Sequence, residues 1–157
     1  MDLDSPAGPL LLEFDRKGLR RLCFLDRRET PVAPSEPASE APSFVRETVR
    51  LLREYFAGRE VDFRGVPLNL EVGTPFQRRV WEELRRLGYG ELVSYGELAR
   101  RVGRPGAARA VGLALAANPV PIVIPCHRVI RSDGGLGGFS AGLERKRVLL
   151  KLEGHDF

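Results

Sequence analysis

Five residues, Pro121-Ile122-Val123-Ile124-Pro125, constrain this chain more than any other stretch. Proline fixes its own φ and donates no backbone hydrogen bond, so the two prolines close off a short β-branched run at both ends. Val and Ile fit a buried, pleated surface, and the run reads as a short buried strand. It delivers Cys126 next to His127, after which the chain turns apolar again at Val129-Ile130. Successive side chains on a strand face opposite ways, so thiol and imidazole can cooperate only if the backbone bends after Pro125. A thiol is a strong nucleophile as its thiolate, and a nearby imidazole is the usual means of forming one near neutral pH. A lone buried cysteine is also commonly a small hydrophobe, so the dipeptide alone leaves catalysis and packing both open.

Composition narrows the setting. A chain of 157 residues, 43% hydrophobic and 29% charged, can bury a real core as one domain or two small ones. No apolar run approaches a membrane span, and the acidic, proline-bearing start is not a signal peptide, so no membrane partner is expected. Two distant cysteines make no disulfide framework, which points to a reducing, cytoplasmic location. Charge is uneven. Residues 1–73 hold 11 Lys and Arg against 13 Asp and Glu, whereas residues 74–157 hold 14 against 8. The basic half is the half with the Cys-His pair, as expected if that half meets a polyanion, although a solvated basic face would look the same.

The first half reads as a small α+β unit over residues 1–70 with no evident chemistry. Apolar segments on either side of Asp15-Arg16-Lys17-Gly18 predict a hairpin, with Gly18 supplying the unusual turn dihedral and Cys23 in the core. Residues 30–43, rich in Pro, Ala, Ser and Glu, predict a mobile surface loop. Val45, Val49, Leu52 and Phe56 recur at helical spacing over residues 44–57, with Gly58 as the stop. Val61-Asp62-Phe63 and Pro67-Leu68-Asn69-Leu70 are expected to add strands.

A second unit, residues 74–157, opens on Thr74-Pro75-Phe76-Gln77, a capping box with proline at the first helical position. Phe76, Val80, Trp81, Leu84 and Leu87 then give one apolar face, and Trp81 reads as core rather than as a base-stacking platform. Ser94 and Glu97 predict a second capping box. Two short helices across Arg104-Pro105-Gly106 describe a helix-turn-helix. The helix over residues 107–117 is unusual: Ala107, Ala108 and Gly112 are among its many small residues, and Arg109 is its only charge. A major-groove reader displays several polar side chains, which this helix lacks. A smooth, narrow helix suits backbone or minor-groove contact instead, though burial would also explain the alanines. The glycine-rich stretch 133–142 lacks the Gly-Lys-Ser/Thr ending of a phosphate loop and suggests close backbone approach to a flat ligand. Residues 143–152 predict the last helix, with Glu153 at its C-terminus, where an acid opposes the helix dipole.

Pro125-Cys126-His127-Arg128-Val129-Ile130, preceded by Asn118-Pro119-Val120-Pro121, resembles the active-site signature of the O6-alkylguanine-DNA alkyltransferases. The resemblance runs from about Gly73 to Gly154. It implies a ribonuclease H-like N-terminal α/β domain followed by a mostly helical C-terminal domain with a helix-turn-helix, an α+β protein overall. It implies irreversible, single-turnover transfer of an alkyl group from O6-alkylguanine in double-stranded DNA to Cys126 after base flipping, with O4-alkylthymine left open as a substrate. Within it His127 is the base, Glu153 orients the histidine, and Tyr95 gives a hydrogen bond to guanine N3. Arg109 enters the base stack in place of the flipped nucleotide, Asn118 braces the helix and the reactive segment, and Ser140 lies near O6. Arg128, Ala107, Ala108 and Gly112 fall among the expected DNA or substrate contacts. Phe139 stands where a tyrosine often occurs, which puts alkyl-size preference in doubt but not the reaction. No cofactor and no metal are expected, and a monomer is expected. Two other readings are a non-catalytic damage sensor or regulator, against which Cys126 and the alanine-rich helix argue, and a thiol hydrolase or metal site using Cys126, His127 and His155.

Overall fold

The computed structural model describes residues 1–26 and 37–157, so the first half of the loop expected over residues 30–43 lies outside the described residues. Three antiparallel strands open the chain: β1 (Asp2–Leu3), β2 (Leu10–Asp15) and β3 (Gly18–Phe24), with β2 between the others. The hairpin falls where Asp15-Arg16-Lys17-Gly18 predicts it. Asp15 Oδ1 accepts from the backbone of Lys17 and Gly18, and Gly18 sits at φ +148° with Pro67 O so close that a Cβ would meet it at 2.2 Å. Alternation buries Leu10 and Leu12 on β2, and a register shift opposite Glu13 and Phe14 lets Leu19 and Leu22, three apart on β3, both reach the core.

Helix α1 (Ser43–Phe56) lies against this sheet and buries Val45, Thr48, Val49, Leu52 and Tyr55. The apolar stripe therefore ends on Tyr55, which is fully buried, rather than on Phe56, which is half-buried. The strands expected at 61–63 and 67–70 do not form. That segment touches β3 at one bridge, Leu19 to Leu68. Its carbonyls at Phe63, Arg64 and Val66 are taken instead by the Arg85 guanidinium, and Pro67 has no N–H to offer a ladder.

Helix α2 (Pro75–Arg85) starts at Thr74, and both halves of the capping box are present. Trp81 is core: it is buried, and its Nε1 donates to Ala114 O at 2.8 Å. Strand β4 (Val93–Ser94) leads into α3 (Tyr95–Arg101), and α4 (Ala108–Ala116) follows across the turn, giving the helix-turn-helix. Only one half of the second capping box forms. Ser94 Oγ accepts from Glu97 N at 3.1 Å, while the Glu97 carboxylate turns to Arg100 and Arg101.

The proline-bracketed run is not a strand. Ile124 N donates to Val120 O and Cys126 N to Ile124 O, so the chain folds back on itself. Ile122 is at φ +75°, the only positive φ outside glycine among the described residues. A β-branched residue there is strained, and the strain is held by full burial and by Asn118. The Asn118 amide donates to Ile124 O and accepts from Val120 N, both at 2.9 Å, occupying groups a strand would have paired. A single 3₁₀ turn, Cys126–Arg128, follows and supplies the bend that the dipeptide requires. Strand β5 (Val129–Ile130) pairs in parallel with β4, and α5 (Leu143–Leu152) closes the chain, ending at Gly154.

One apolar core runs through both halves, from Leu10, Leu22 and Leu52 to Trp81, Ile124 and Leu149. Polar ties cross between them. Leu22 N donates to Pro119 O, and Arg145 of α5 donates to Ala7 O and Leu25 O while its guanidinium covers Phe24. No helix among the described residues is long and apolar enough to cross a membrane.

Candidate active site

Cys126, 5% exposed, is part of the wall of a cavity of about 260 Å³ shared with Tyr95, Gly112, Leu115, Ala116, Gly138, Phe139 and Ser140. That volume is below the range usual for drug-sized ligands, roughly 300–1,000 Å³, and suits one flat, base-sized group. Three parts of the sequence converge here: the start of α3, the small-residue face of α4, and the glycine-rich stretch. Gly112 and Ala116 lie one turn apart on α4, and their lack of bulk opens the cavity. The glycine-rich stretch does make a close backbone approach, but to a protein ring. At Gly137 (φ +74°) a Cβ would meet the Tyr95 hydroxyl at 2.9 Å. Tyr95 OH accepts from Gly138 N at 3.2 Å.

His127, fully buried, occupies the opposite side of the 3₁₀ turn. Its Nε2 is hydrogen-bonded to Glu153 Oε2, and its Nδ1 is buried without a partner among the described residues. A carboxylate only accepts, so Nε2 carries the hydrogen and Nδ1 presents a lone pair. Glu153 is the C-cap of α5, and its misfit with the helix dipole is resolved by partners. Oε1 accepts from Arg128 Nε at 2.7 Å and Gly90 N at 2.9 Å, and Oε2 also accepts from Tyr55 OH at 2.6 Å. Burial alone would raise the Glu153 carboxyl, but the hydrogen bonds from His127 and Arg128 and the permanent Arg128 charge outweigh it and hold it well below the usual carboxylate range. Burial pushes His127 down, so the ring is neutral near pH 7. Burial pushes the Cys126 thiol up to about 11, against hydrogen bonding by Asn118 and the charge of Lys146. The thiol is thus protonated at rest, and forming the thiolate requires a proton acceptor.

Arg128 corrects one expectation. It is 4% exposed, with Nε on Glu153 and Nη1 on Leu87 O, and so faces the interior rather than DNA. It belongs behind the histidine, where a permanent cation keeps the buried carboxylate charged. Arg109 is exposed on α4 and forms no hydrogen bond or ion pair with the described residues. Ala108 is exposed beside it, and Ala107, at the helix start, is half-buried. His155 lies apart, bonded to Gly90 O, and no group of three or more His, Cys, Asp or Glu among the described residues could hold a metal ion. Cys23 is a free, half-buried cysteine on β3.

Two residues at this site escape the sequence reading. Tyr55 joins it from α1. Lys146 is buried on α5, donating from Nζ to Val129 O at 2.7 Å and Gly138 O at 3.0 Å, and burial brings it down to about 8. A signal for Lys146 exists: it shares a stripe with buried Leu149 and Leu150, three and four positions on.

Two family profiles match the chain, one for the 6-O-methylguanine DNA methyltransferase DNA binding domain over residues 75–155 and one for its ribonuclease-like domain over residues 3–70. The chain is 46% identical over 151 residues to a methylated-DNA–protein-cysteine methyltransferase of Methanosarcina acetivorans, covering 96% of this chain and 95% of that one. To the corresponding protein of Mycobacterium leprae it is 47% identical over 154 residues, covering 98% and 91%. Among solved structures it resembles Mycobacterium tuberculosis OGT in complex with DNA, at TM-score 0.80 and 45% identity, covering 98% of this chain and 91% of that one. It also resembles the O6-methylguanine-DNA methyltransferase of the hyperthermophilic archaeon Pyrococcus kodakaraensis, at TM-score 0.73 and 28% identity, covering 99% and 98%.

Proposed function

The chain belongs to the 6-O-methylguanine DNA methyltransferase family, a direct-reversal DNA repair protein that moves an alkyl group from DNA onto one of its own cysteines, and we propose that this cysteine is Cys126. The substrate is double-stranded DNA carrying O6-alkylguanine, bound by one copy of the chain in the cytoplasm. Residues 74–157 bind DNA and accept the alkyl group, and residues 1–70 support them.

One observation carries this reading: a buried thiol opens onto a base-sized cavity, beside a histidine whose Nε2 is committed to a carboxylate and whose Nδ1 has no partner among the described residues. The damaged base cannot reach this sulfur from within a duplex, so it is flipped out. Arg109, the one charge on a helix of small residues, fills the gap in the stack. Basic residues of the C-terminal half supply salt-dependent phosphate affinity. Once the base is in the cavity, His127 Nδ1, on the far side of the turn, takes the thiol proton, directly or through one water. The thiolate attacks the alkyl carbon in line, so the C–S bond forms as the C–O6 bond breaks and the electron pair leaves on the guanine. Tyr95, whose phenol burial keeps protonated, donates a hydrogen bond to the base edge and spreads that charge, and the histidine's proton neutralises it. Ser140 lies toward O6, and Phe139 gives the alkyl group an apolar wall. The thioether is stable, and each molecule reacts once.

Incubation with a methylated duplex should place one methyl per protein on Cys126, located by peptide mass, while Cys126→Ala keeps DNA binding and transfers nothing. Sustained turnover, or a methyl found on Cys23 instead, overturns the assignment.

A further inference from the structure

The Glu153 carboxylate has four partners, and one of them comes from the other half of the chain. Gly90, His127 and Arg128 belong to the DNA-binding and acceptor half, whereas Tyr55 projects from α1. Its side chain is fully buried, packed edge-on or tilted against Phe56, Phe63, Tyr89 and His127 at centroid distances of 5.4 to 6.5 Å. The hydroxyl has one short bond, 2.6 Å to Glu153 Oε2, and stands 3.4 Å from His127 Nε2.

We propose that Tyr55 is a positioning residue for alkyl transfer, fixing Glu153 Oε2 so that it holds the Nε2 hydrogen of His127 and leaves Nδ1 as the acceptor of the thiol proton. This rests on His127 being the base. Oε2 is shared by two donors, and the phenol sets where its second lone pair points. Without it the carboxylate rotates about its Oε1 bonds and the imidazole tautomer is no longer fixed by geometry. Its charge, relieved by one hydrogen bond fewer, also favours imidazolium more strongly. Burial and the neighbouring Glu153 charge push the phenol far above its ordinary range, so it remains a donor at any working pH. The ribonuclease-like half is then more than a support, because one of its hydroxyls completes the proton relay.

Tyr55→Phe in the full chain keeps the ring and its packing. Single-turnover transfer from a methylated duplex is followed from pH 4.5 to 9, with the unfolding midpoint measured alongside. Groups facing the pair are Arg128 beside it, Lys146 from α5, Tyr89 from the loop after α2, and the thiol itself, all unchanged by the substitution. Positioning predicts a plateau rate lower by roughly 10-fold, the size of one charge-assisted hydrogen bond, and an acidic limb displaced to higher pH. A lower unfolding midpoint with rate and pH profile both unchanged overturns the proposal and leaves Tyr55 as packing. Glu153→Gln separates the two layers. If it slows transfer while Tyr55→Phe does not, only the Tyr55 role falls; if it too leaves rate and profile unchanged, the His127–Glu153 relay falls with it.

Discussion

Behind Cys126, both oxygens of Glu153 are doubly engaged, Arg128 is bonded to a carboxylate and a carbonyl, and His127 has only its buried Nδ1 without a partner among the described residues. In front of it the wall is apolar or loosely bonded. Tyr95 accepts one bond from Gly138 N, and the side chains of Ser140 and Arg109 bond to no described residue. In the proposed reaction, folding completes the proton-handling side, while the base-recognising side waits for DNA. Changes at the back should therefore slow transfer from any alkyl donor and weaken the fold. Changes at the front should spare the fold and act only where a base must be drawn from a helix. Comparing a methylated duplex with free O6-methylguanine base tests this division.

Glu153→Gln should give the largest effect at the back. The neutral amide no longer stabilises an imidazolium, so transfer should fall on the order of 10²- to 10⁴-fold with duplex and free base alike. It also strands the buried Arg128 charge, at about 3–5 kcal/mol of stability. The sign with pH is fixed by the depressed carboxyl. Its contribution is present above the ordinary carboxyl value of 4.5 and is lost only as pH falls toward its low folded value. Urea melts at pH 7 and pH 3 should show the gap between wild type and variant narrowing in acid. An unchanged free-base rate would break the comparison.

Arg109→Ala should act at the front alone. Holding a nucleotide out of the stack costs a few kcal/mol, so losing the side chain that fills the gap should slow the duplex reaction roughly 10- to 100-fold. Free base should react at the wild-type rate, and the unfolding midpoint should not move. Equal losses on both substrates would assign Arg109 to the chemistry instead.

Lys146 lies between the two walls, bonded to Gly138 of the front and to the backbone beneath the thiol. Burial lowers it from 10.5 to about 8, so the fold carries a cost for this charge below pH 8 that eases as pH rises. Above pH 9 the raised Cys126 thiol works in the opposite sense, so the clean window is pH 7 to 9. Lys146→Met should raise the unfolding midpoint at pH 7 by a few degrees, flatten its rise toward pH 9, and slow transfer several-fold by removing a cation near the thiolate. A lower midpoint at pH 7 would mean its two backbone bonds outweigh the burial of the charge.

Much of this site is legible in the residues because it depends on local rules. The Thr74 capping box, the small-residue helix and the Cys-His pair each declare themselves within a few positions. What the sequence hides is set by long-range partners. Ile122-Val123-Ile124 has strand chemistry, but Asn118 takes the backbone groups a strand would pair, and a bend results. Arg128 looks like a DNA contact until Glu153, 25 positions on, claims it. Tyr55 shares the helical face of Leu52, and nothing local indicates that its hydroxyl meets Glu153, 98 positions away. Residues 61–70 hold strand-forming side chains whose carbonyls are captured by Arg85, which no local pattern announces.

The smallest expected effect concerns the one large apolar side chain on the exposed face of α4. Leu113 is 66% exposed, one turn beyond Arg109, on a helix whose other exposed residues are alanines and that arginine. It adds little to the core, so truncation should leave the unfolding midpoint unchanged. If this face enters the minor groove, Leu113 packs on sugar edges beside the displaced base, where apolar side chains commonly lodge. Burying part of one leucine is worth about 1 kcal/mol, so Leu113→Ala should weaken duplex binding, and the duplex reaction below saturation, roughly 5-fold. Because the contact is apolar, the salt dependence of binding should keep its slope, whereas loss of a phosphate-bound cation would lower it. A 5-fold loss with unchanged slope and unchanged free-base rate sharpens the division between the two walls. No change in duplex affinity would mean that α4 meets DNA through Arg109 and its alanines alone, with Leu113 turned aside.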